Sequence, residues 1–84
     1  MAFKIVFSDE ASYQLKKLDN KTAKRVLDKI ESTSKNPSHF FERLSGRDEY
    51  KLRAGDYRII ANILQNDKMI FIRSLGHRKN IYKR

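Results

Sequence analysis

The stretch "YKLRAGDYRIIANI", residues 50–63, decides the fold because it has the pattern of two strands joined by a tight turn. Gly55 and Asp56 form a two-residue loop with glycine first, which is typical of a type II′ β-hairpin. Successive side chains of a strand point to opposite faces, so this register puts Leu52 and Ile59 on one face. We expect that face to be the core side of a β-sheet.

The opposite face of the hairpin gathers three cations, Lys51, Arg53 and Arg58. The same register sets Arg53 directly across from Arg58, with Lys51 on the diagonal. Like charges directly opposite one another destabilise a hairpin. Three cations on one face in spite of this repulsion indicate a surface that binds a nucleic acid or is covered by a partner protein.

The chain is strongly basic, with 19 Lys+Arg against 10 Asp+Glu, a net charge of +9 and a pI near 10.0. Residues 1–46 carry 9 basic and 6 acidic residues, a net of +3, whereas residues 47–84 carry 10 and 4, a net of +6. The excess therefore lies in the half that holds the hairpin. It indicates a polyanionic partner, either nucleic acid or acidic protein; the alternative is a soluble domain that happens to be basic.

A chain of 84 residues, 1–84, is long enough for one domain with a modest core. The sequence has no cysteine, which excludes a disulfide framework and a thiolate nucleophile or metal ligand. Its histidines and carboxylates do not stand at metal-ligand spacing, so we expect neither a metal nor another cofactor. No run resembles a signal peptide or approaches the roughly 18 apolar residues of a membrane span. We therefore expect a cytoplasmic protein without a membrane partner.

Apolar periodicity and capping residues divide the chain into elements. The first half predicts a strand at 2–7, a helix from Ser8 or Asp9 to about Leu18, a helix capped by Asp19 or Asn20 and ended by Pro37, and an irregular connection at 38–48. The second half predicts three strands, Glu49–Ala54, Tyr57–Leu64 and Lys68–Leu75. The order β-α-α-β-β-β predicts a small α+β fold in which the helical pair covers one face of an antiparallel sheet.

Alternation along these strands assigns residues to the two faces of the sheet. The predicted helix-facing set is Leu52, Ile59, Ala61, Ile63, Ile70 and Ile72. The predicted open face carries Lys51, Arg53, Arg58 and Arg73 together with Ile60, Leu64, Met69 and Phe71. The open face is thus cationic and partly apolar.

The last segment, "SLGHRKNIYKR" at 74–84, begins with the last two residues of the third predicted strand and continues beyond it. Gly76 is expected to break the strand, which lets His77, Arg78 and Tyr82 lie against the cationic face. Arginine presents a planar fork of donors that suits phosphate. Histidine and tyrosine can transfer protons, and tyrosine can also stack on a base.

These segments resemble the RelE/ParE superfamily of toxins from toxin–antitoxin systems, and its RelE branch in particular. The resemblance rests on "YKLRAGDYRIIANI" and "IFIRSLGHRKNIY", and on the "RLSG" run before the hairpin. It covers essentially the whole chain and implies the RelE-like fold. It further implies a ribosome-dependent endoribonuclease that cuts mRNA in the ribosomal A site, and an acidic RelB-like antitoxin as protein partner.

The resemblance also implies roles for residues of this chain. The implied catalytic residues are Lys51, Arg58, Arg78, Tyr82 and His77, and the implied RNA-binding residues are Arg53, Arg73 and Lys79. The chain departs from the family where relatives carry a second lysine, since Glu49 stands there. The general base consequently stays open among Glu49, Glu42, His77 and Tyr82.

The implied reaction explains why cations are gathered on one face. Without a metal, the 2′-hydroxyl of the RNA attacks its own 3′-phosphate, and negative charge accumulates on the phosphoryl oxygens. Fixed donors around such charge are each worth about 3 to 4 kcal/mol. Two alternatives remain, a ParE-like toxin that acts on DNA gyrase and a non-catalytic RNA-binding module.

Overall fold

The protein is described by a computed structural model that covers residues 2–44 and 49–77. Its strands are β1 Lys4–Phe7, β2 Glu42–Arg43, β3 Tyr50–Ala54, β4 Tyr57–Leu64 and β5 Met69–His77. Its helices are α1 Asp9–Lys16, α2 Asn20–Ser32 and α3 Pro37–Phe40. The strands form one sheet in the order β1-β5-β4-β3-β2. The predicted α+β class is confirmed.

The sheet is mixed rather than antiparallel. β1 pairs in parallel with β5, with Lys4 opposite Met69 and Phe7 opposite Ile72, whereas the other neighbouring strands run antiparallel. The prediction of a purely antiparallel sheet was therefore wrong in this one pairing. A physical reason is that β5 would otherwise expose a row of unpaired backbone groups, and β1 covers them.

Side-chain caps start the two long helices. Ser8 caps α1 by accepting a hydrogen bond from the amide of Ala11 at 3.0 Å, and its hydroxyl donates to the carbonyl of Arg73 at 2.7 Å. Asp19 caps α2 by accepting from the amide of Thr22 at 3.2 Å and from its hydroxyl at 2.6 Å. These bonds to Thr22 lower the pKa of Asp19 because they stabilise its charged form. Both predicted caps are present, and α1 ends at Lys16, earlier than predicted.

Pro37 begins a helix instead of ending one. α2 already ends at Ser32, and Pro37 is the first residue of α3, where its fixed φ suits the helix and its missing amide hydrogen is not needed. The short strand β2 follows, with Glu42 opposite Lys51. The segment predicted as an irregular connection, 38–48, thus contains regular structure in its described part.

The core lies between the helices and one face of the sheet. Its buried members on the sheet and the helices are Ala11, Val26, Ile30, Leu52, Ala54, Ile59, Ala61, Ile70, Ile72 and Leu75. Five of the six residues predicted to face the helices are in this set, and the sixth, Ile63, packs against it while partly buried. None of the helices in the described part of the chain is long and apolar enough to cross a membrane.

The hairpin has the predicted register and turn. Arg53 lies opposite Arg58, and Ala54 lies opposite Tyr57. Gly55 has φ +62°, and among the described non-glycine residues only Lys68 has a positive φ, so Asp56 has a negative one. This combination is that of a type II′ turn, which needs glycine at its first central position.

Candidate functional site

The open face of the sheet, opposite the core, displays Lys51, Arg53 and Arg58. The pairing sets Lys51 opposite Ile60 and Arg53 opposite Arg58, which places these side chains on the face that Leu52 and Ile59 do not use. We call the surface formed by these three residues and Arg73 the cationic face. The structure thus brings together three of the residues predicted for RNA chemistry.

A pocket of about 250 Å³ lies on this face. Its lining consists of Phe40, Glu42, Lys51, Leu52, Arg53 and Arg58. Pockets that enclose a drug-sized ligand span roughly 300–1,000 Å³. The smaller volume suits part of a nucleotide, such as a phosphate and its sugar, with the rest of the polymer outside.

Arg58 lies inside the sheet and not at its edge. It lies on β4 between Arg53 of β3 and Gly76 of β5, and its Nε atom is buried. Gly76 contributes no side chain to the surface beside it. The planar guanidinium carries several donors in a fork that suits a phosphate group.

Glu42 is the acidic residue in the pocket lining. Its Oε1 lies 3.8 Å from Nζ of Lys51, a residue that faces it across the β2–β3 pair. The Glu42 side chain is 75% exposed and that of Lys51 is 27% exposed. The pocket therefore offers a solvent-accessible carboxylate next to a half-buried ammonium group.

Glu49 and Arg73 form a second polar group on the cationic face, outside the pocket lining. Nε of Arg73 lies 3.2 Å from Oε2 of Glu49, and Nη1 of Arg73 donates to Oδ1 of Asn62 at 3.2 Å. Arg73 is the extra residue of a β-bulge, because Ile60 pairs with Ser74 while Ala61 pairs with Ile72. The carboxylate that replaces the family's second lysine is thus bound by an arginine of the same chain.

His77 lies on the other face of the sheet. It pairs with Tyr57, and the two rings meet edge to face with centroids 5.7 Å apart. Tyr57 packs against the core. The structure therefore does not bring His77 together with Lys51 and Arg58. Gly76 was also predicted to break the last strand, which was wrong, since β5 continues to His77.

Three predicted site residues, Arg78, Lys79 and Tyr82, lie outside the described residues. Phe40 lines the pocket, and the sequence reasoning missed it. The available signal was the pair of phenylalanines at 40 and 41, because neighbouring side chains seldom both face one core. In residues 2–44 and 49–77, no three His, Asp or Glu side chains are grouped closely enough to hold a metal ion.

The sequence matches a known family over nearly its whole length. The model of the family described as "ParE toxin of type II toxin-antitoxin system, parDE" matches residues 5–82. The chain belongs to the RelE/ParE family of type II toxins. A relative from Methanocaldococcus jannaschii, named "Putative toxin RelE1", is 31% identical over 99% of this toxin and 98% of its own length.

Solved structures of RelE toxins share the fold of this toxin. The toxin–antitoxin complex RelBE2 of Mycobacterium tuberculosis is similar with a TM-score of 0.83 and 21% identity, over 93% of this chain and 100% of that one. The archaeal RelE–RelB complex of Pyrococcus horikoshii is similar with a TM-score of 0.76 and 25% identity, over 95% and 99%. The mixed sheet with helices on one face is thus the fold of known toxins.

Proposed function

We propose that this toxin is a ribosome-dependent endoribonuclease that cleaves mRNA in the ribosomal A site. The observation that carries the proposal is the pocket in which Lys51, Arg53 and Arg58 meet on the open face of the sheet. Three cations around a cavity of about 250 Å³ suit a phosphate and its sugar in an RNA backbone. The relative named RelE1 is consistent with this branch of the family.

In the proposed reaction, the 2′-oxygen bonds to the adjacent phosphorus as the bond to the 5′-oxygen breaks. The products are a 2′,3′-cyclic phosphate and a 5′-hydroxyl, whose oxygen takes a proton from water while the 2′-hydroxyl loses one to the general base. Arg58 donates to the phosphoryl oxygens where negative charge develops, and Lys51 and Arg53 bind flanking phosphates. A preorganised donor of this kind is worth about 3 to 4 kcal/mol. Arg78 and Tyr82 keep the roles that the family resemblance implies.

Glu42 is the proposed acceptor of the 2′-hydroxyl proton. It lines the pocket, whereas Glu49 is bound to Arg73 outside the pocket and His77 lies on the other face. A general base must come within hydrogen-bond reach of the proton it removes. Among the candidates in the described residues, Glu42 satisfies this geometric condition best.

The proposed protein partner is an acidic antitoxin in the cytoplasm. The similar structures from Mycobacterium tuberculosis and Pyrococcus horikoshii are toxin–antitoxin complexes. The net charge of +9 on this toxin favours a partner of opposite charge. Such a partner would silence the toxin by covering its cationic face.

The second candidate is a ParE-like toxin that acts on DNA gyrase. The description of the matching family, which names ParE, favours it. The pocket favours the nuclease, because a gyrase poison does not need a phosphate-binding cavity. A non-catalytic RNA-binding module would bind RNA without cutting it.

Primer-extension mapping of an mRNA on programmed ribosomes tests the nuclease directly. Wild-type toxin should cut at an A-site codon, and Arg58→Ala should lower the single-turnover rate by roughly 10²- to 10³-fold. Arg25→Ala, an exposed arginine of α2, is the matched control and should cut normally. No cleavage by wild type would reject the nuclease, and a gyrase supercoiling assay would then test the second candidate.

A further inference from the structure

Phe40 presents an aromatic ring at the rim of the cationic pocket. The residue is 42% exposed and lines the pocket with Lys51, Arg53 and Arg58. Its neighbour Phe41 is only 6% exposed and belongs to the core. Phe41 therefore anchors the segment in the core, and the ring of Phe40 lies at the pocket.

The anchoring of α3 sets the position of the ring. Pro37 is buried, and the amide of Phe41 donates to the carbonyl of Pro37 at 2.9 Å, which closes a single helical turn. The ring of His39 meets that of Phe40 edge to face, with centroids 5.0 Å apart. Nζ of Lys29 lies 5.9 Å from the Phe40 centroid, at cation–π distance. The ring is therefore held by its neighbours while remaining accessible.

A single exposed phenylalanine is common on protein surfaces and needs no function. Phe40 differs because it lines a pocket together with three cations, Lys51, Arg53 and Arg58. Sites for single-stranded nucleic acid combine these two features, a cationic groove for the backbone and an aromatic side chain for a base. A contact with an acidic protein would explain the cations but not the cavity of about 250 Å³ beside the ring.

We infer that Phe40 is a stacking platform for a base of single-stranded RNA whose phosphate lies in the cationic pocket. The inference rests on the proposed function, since it names a further contact of the same site with its substrate. Stacking uses the π-face that every base has, so this contact raises the affinity for RNA without discriminating between bases. The platform lies on α3, which comes shortly before β2 in the chain and forms one side of the pocket.

Tryptophan fluorescence tests the platform directly because the chain contains no tryptophan. Phe40→Trp introduces a single fluorophore that a stacked base should quench. Tyr13→Trp is the matched control, because Tyr13 is also exposed, at 60%, and also carries a lysine over its ring, with Nζ of Lys17 at 4.9 Å. The probe is a short single-stranded RNA with 2′-O-methyl groups, which the proposed reaction cannot cleave. We expect quenching of Phe40→Trp and none of Tyr13→Trp.

Affinity for the same RNA, measured by fluorescence anisotropy, provides the second readout. Phe40→Leu should weaken binding by about 5- to 150-fold, and Phe40→Trp should restore it. Tyr13→Leu should bind as wild type does, and circular dichroism should show that each variant is folded. Four base compositions of the probe should give similar losses.

Binding of Phe40→Leu within twofold of wild type would overturn the inference, as would RNA-bound Phe40→Trp with unchanged fluorescence. Failure of wild type to bind the RNA would also overturn it, because the platform is assigned to the free toxin. If Phe40→Leu weakens only binding of an acidic antitoxin, the ring is a protein contact and the inference fails. Stacking without ribosomal cleavage would instead keep the platform and reject the nuclease.

Discussion

Arg73 reaches from β5 across β4 to Glu49, and its Nε lies 3.2 Å from Oε2 of that carboxylate. On the way, its Nη1 donates to Oδ1 of Asn62 on β4. The side chains of Arg73 and Glu49 are 50% and 24% exposed. The position where the family resemblance implies a lysine thus carries an acid whose charge is balanced within this chain.

The Arg73–Glu49 pair should contribute little to stability. We expect a double-mutant cycle of Arg73→Gln and Glu49→Gln to give a coupling of about 0.2 to 1 kcal/mol in the free energy of unfolding. Solvent reaches both groups, so the coupling should shrink as salt is raised. Urea denaturation at low and high salt measures it. A coupling well above this range that salt does not change would show that solvent does not screen the pair.

The hairpin could be predicted from sequence because local chemistry determines it. Gly55 supplies the positive φ that the turn needs, and the alternation of apolar and charged residues sets the faces. The caps Ser8 and Asp19 were predictable for the same reason, since each binds an amide three residues ahead. These features depend on neighbours in the chain and not on distant packing.

The features that sequence missed depend on pairing with other strands. β1 pairs with β5, more than sixty residues away, and the two-residue strand β2 exists only because β3 pairs with it. The bulge at Arg73 had the largest effect on the site. A shift of one residue reverses every later side chain, so Leu75 turns into the core and His77 follows it to the same face.

Asp19 should make stability depend on pH in the acid range. Its hydrogen bonds to Thr22 lower its folded-state pKa below the ordinary value of 3.8. The stabilisation is therefore present above that value and is lost as the pH falls through the lowered folded pKa. Asp19→Asn keeps a capping group that does not titrate. It should therefore flatten the dependence of the free energy of unfolding on pH in this range.

Urea denaturation of wild type and Asp19→Asn between neutral pH and acid measures the difference. Asp28→Asn is a matched control, because Asp28 also lies on α2 but pairs with exposed Lys24 and does not cap the helix. Equal pH profiles for wild type and Asp19→Asn would show that the cap does not titrate in this range.

Arg53 should weaken the fold while it strengthens RNA binding. It lies directly opposite Arg58, and removing one of two like charges so placed should raise stability by about 0.2 to 1 kcal/mol. The same change, Arg53→Gln, should weaken RNA binding and lower the slope of log K against log salt by about 0.7. Denaturation and anisotropy titrations over several salt concentrations measure both effects.

Arg25→Gln is the control for Arg53→Gln, because Arg25 is an exposed arginine on α2, outside the pocket lining. It should leave the salt slope of RNA binding unchanged. If Arg53→Gln instead lowers the free energy of unfolding, Arg53 makes stabilising contacts that outweigh its repulsion with Arg58.

Glu42→Gln should lower the rate of cleavage without weakening RNA binding. Glu42→Gln keeps the size of the side chain but cannot accept the 2′-hydroxyl proton, so the single-turnover rate should fall by roughly 10²- to 10⁴-fold. Binding should stay the same or tighten, because the change removes the negative charge from a pocket lined by Lys51, Arg53 and Arg58. A purely structural role would lower both together.

Glu49→Gln is the matched control for Glu42→Gln, with the same substitution on the same face but outside the pocket lining. Cleavage rates at saturating toxin, and toxin concentrations at half-maximal rate, separate chemistry from binding on programmed ribosomes. We expect Glu49→Gln to cut at nearly the wild-type rate. If instead Glu49→Gln loses activity and Glu42→Gln keeps it, the acid at the family's lysine position is the general base, and its bond to Arg73 must open when RNA binds.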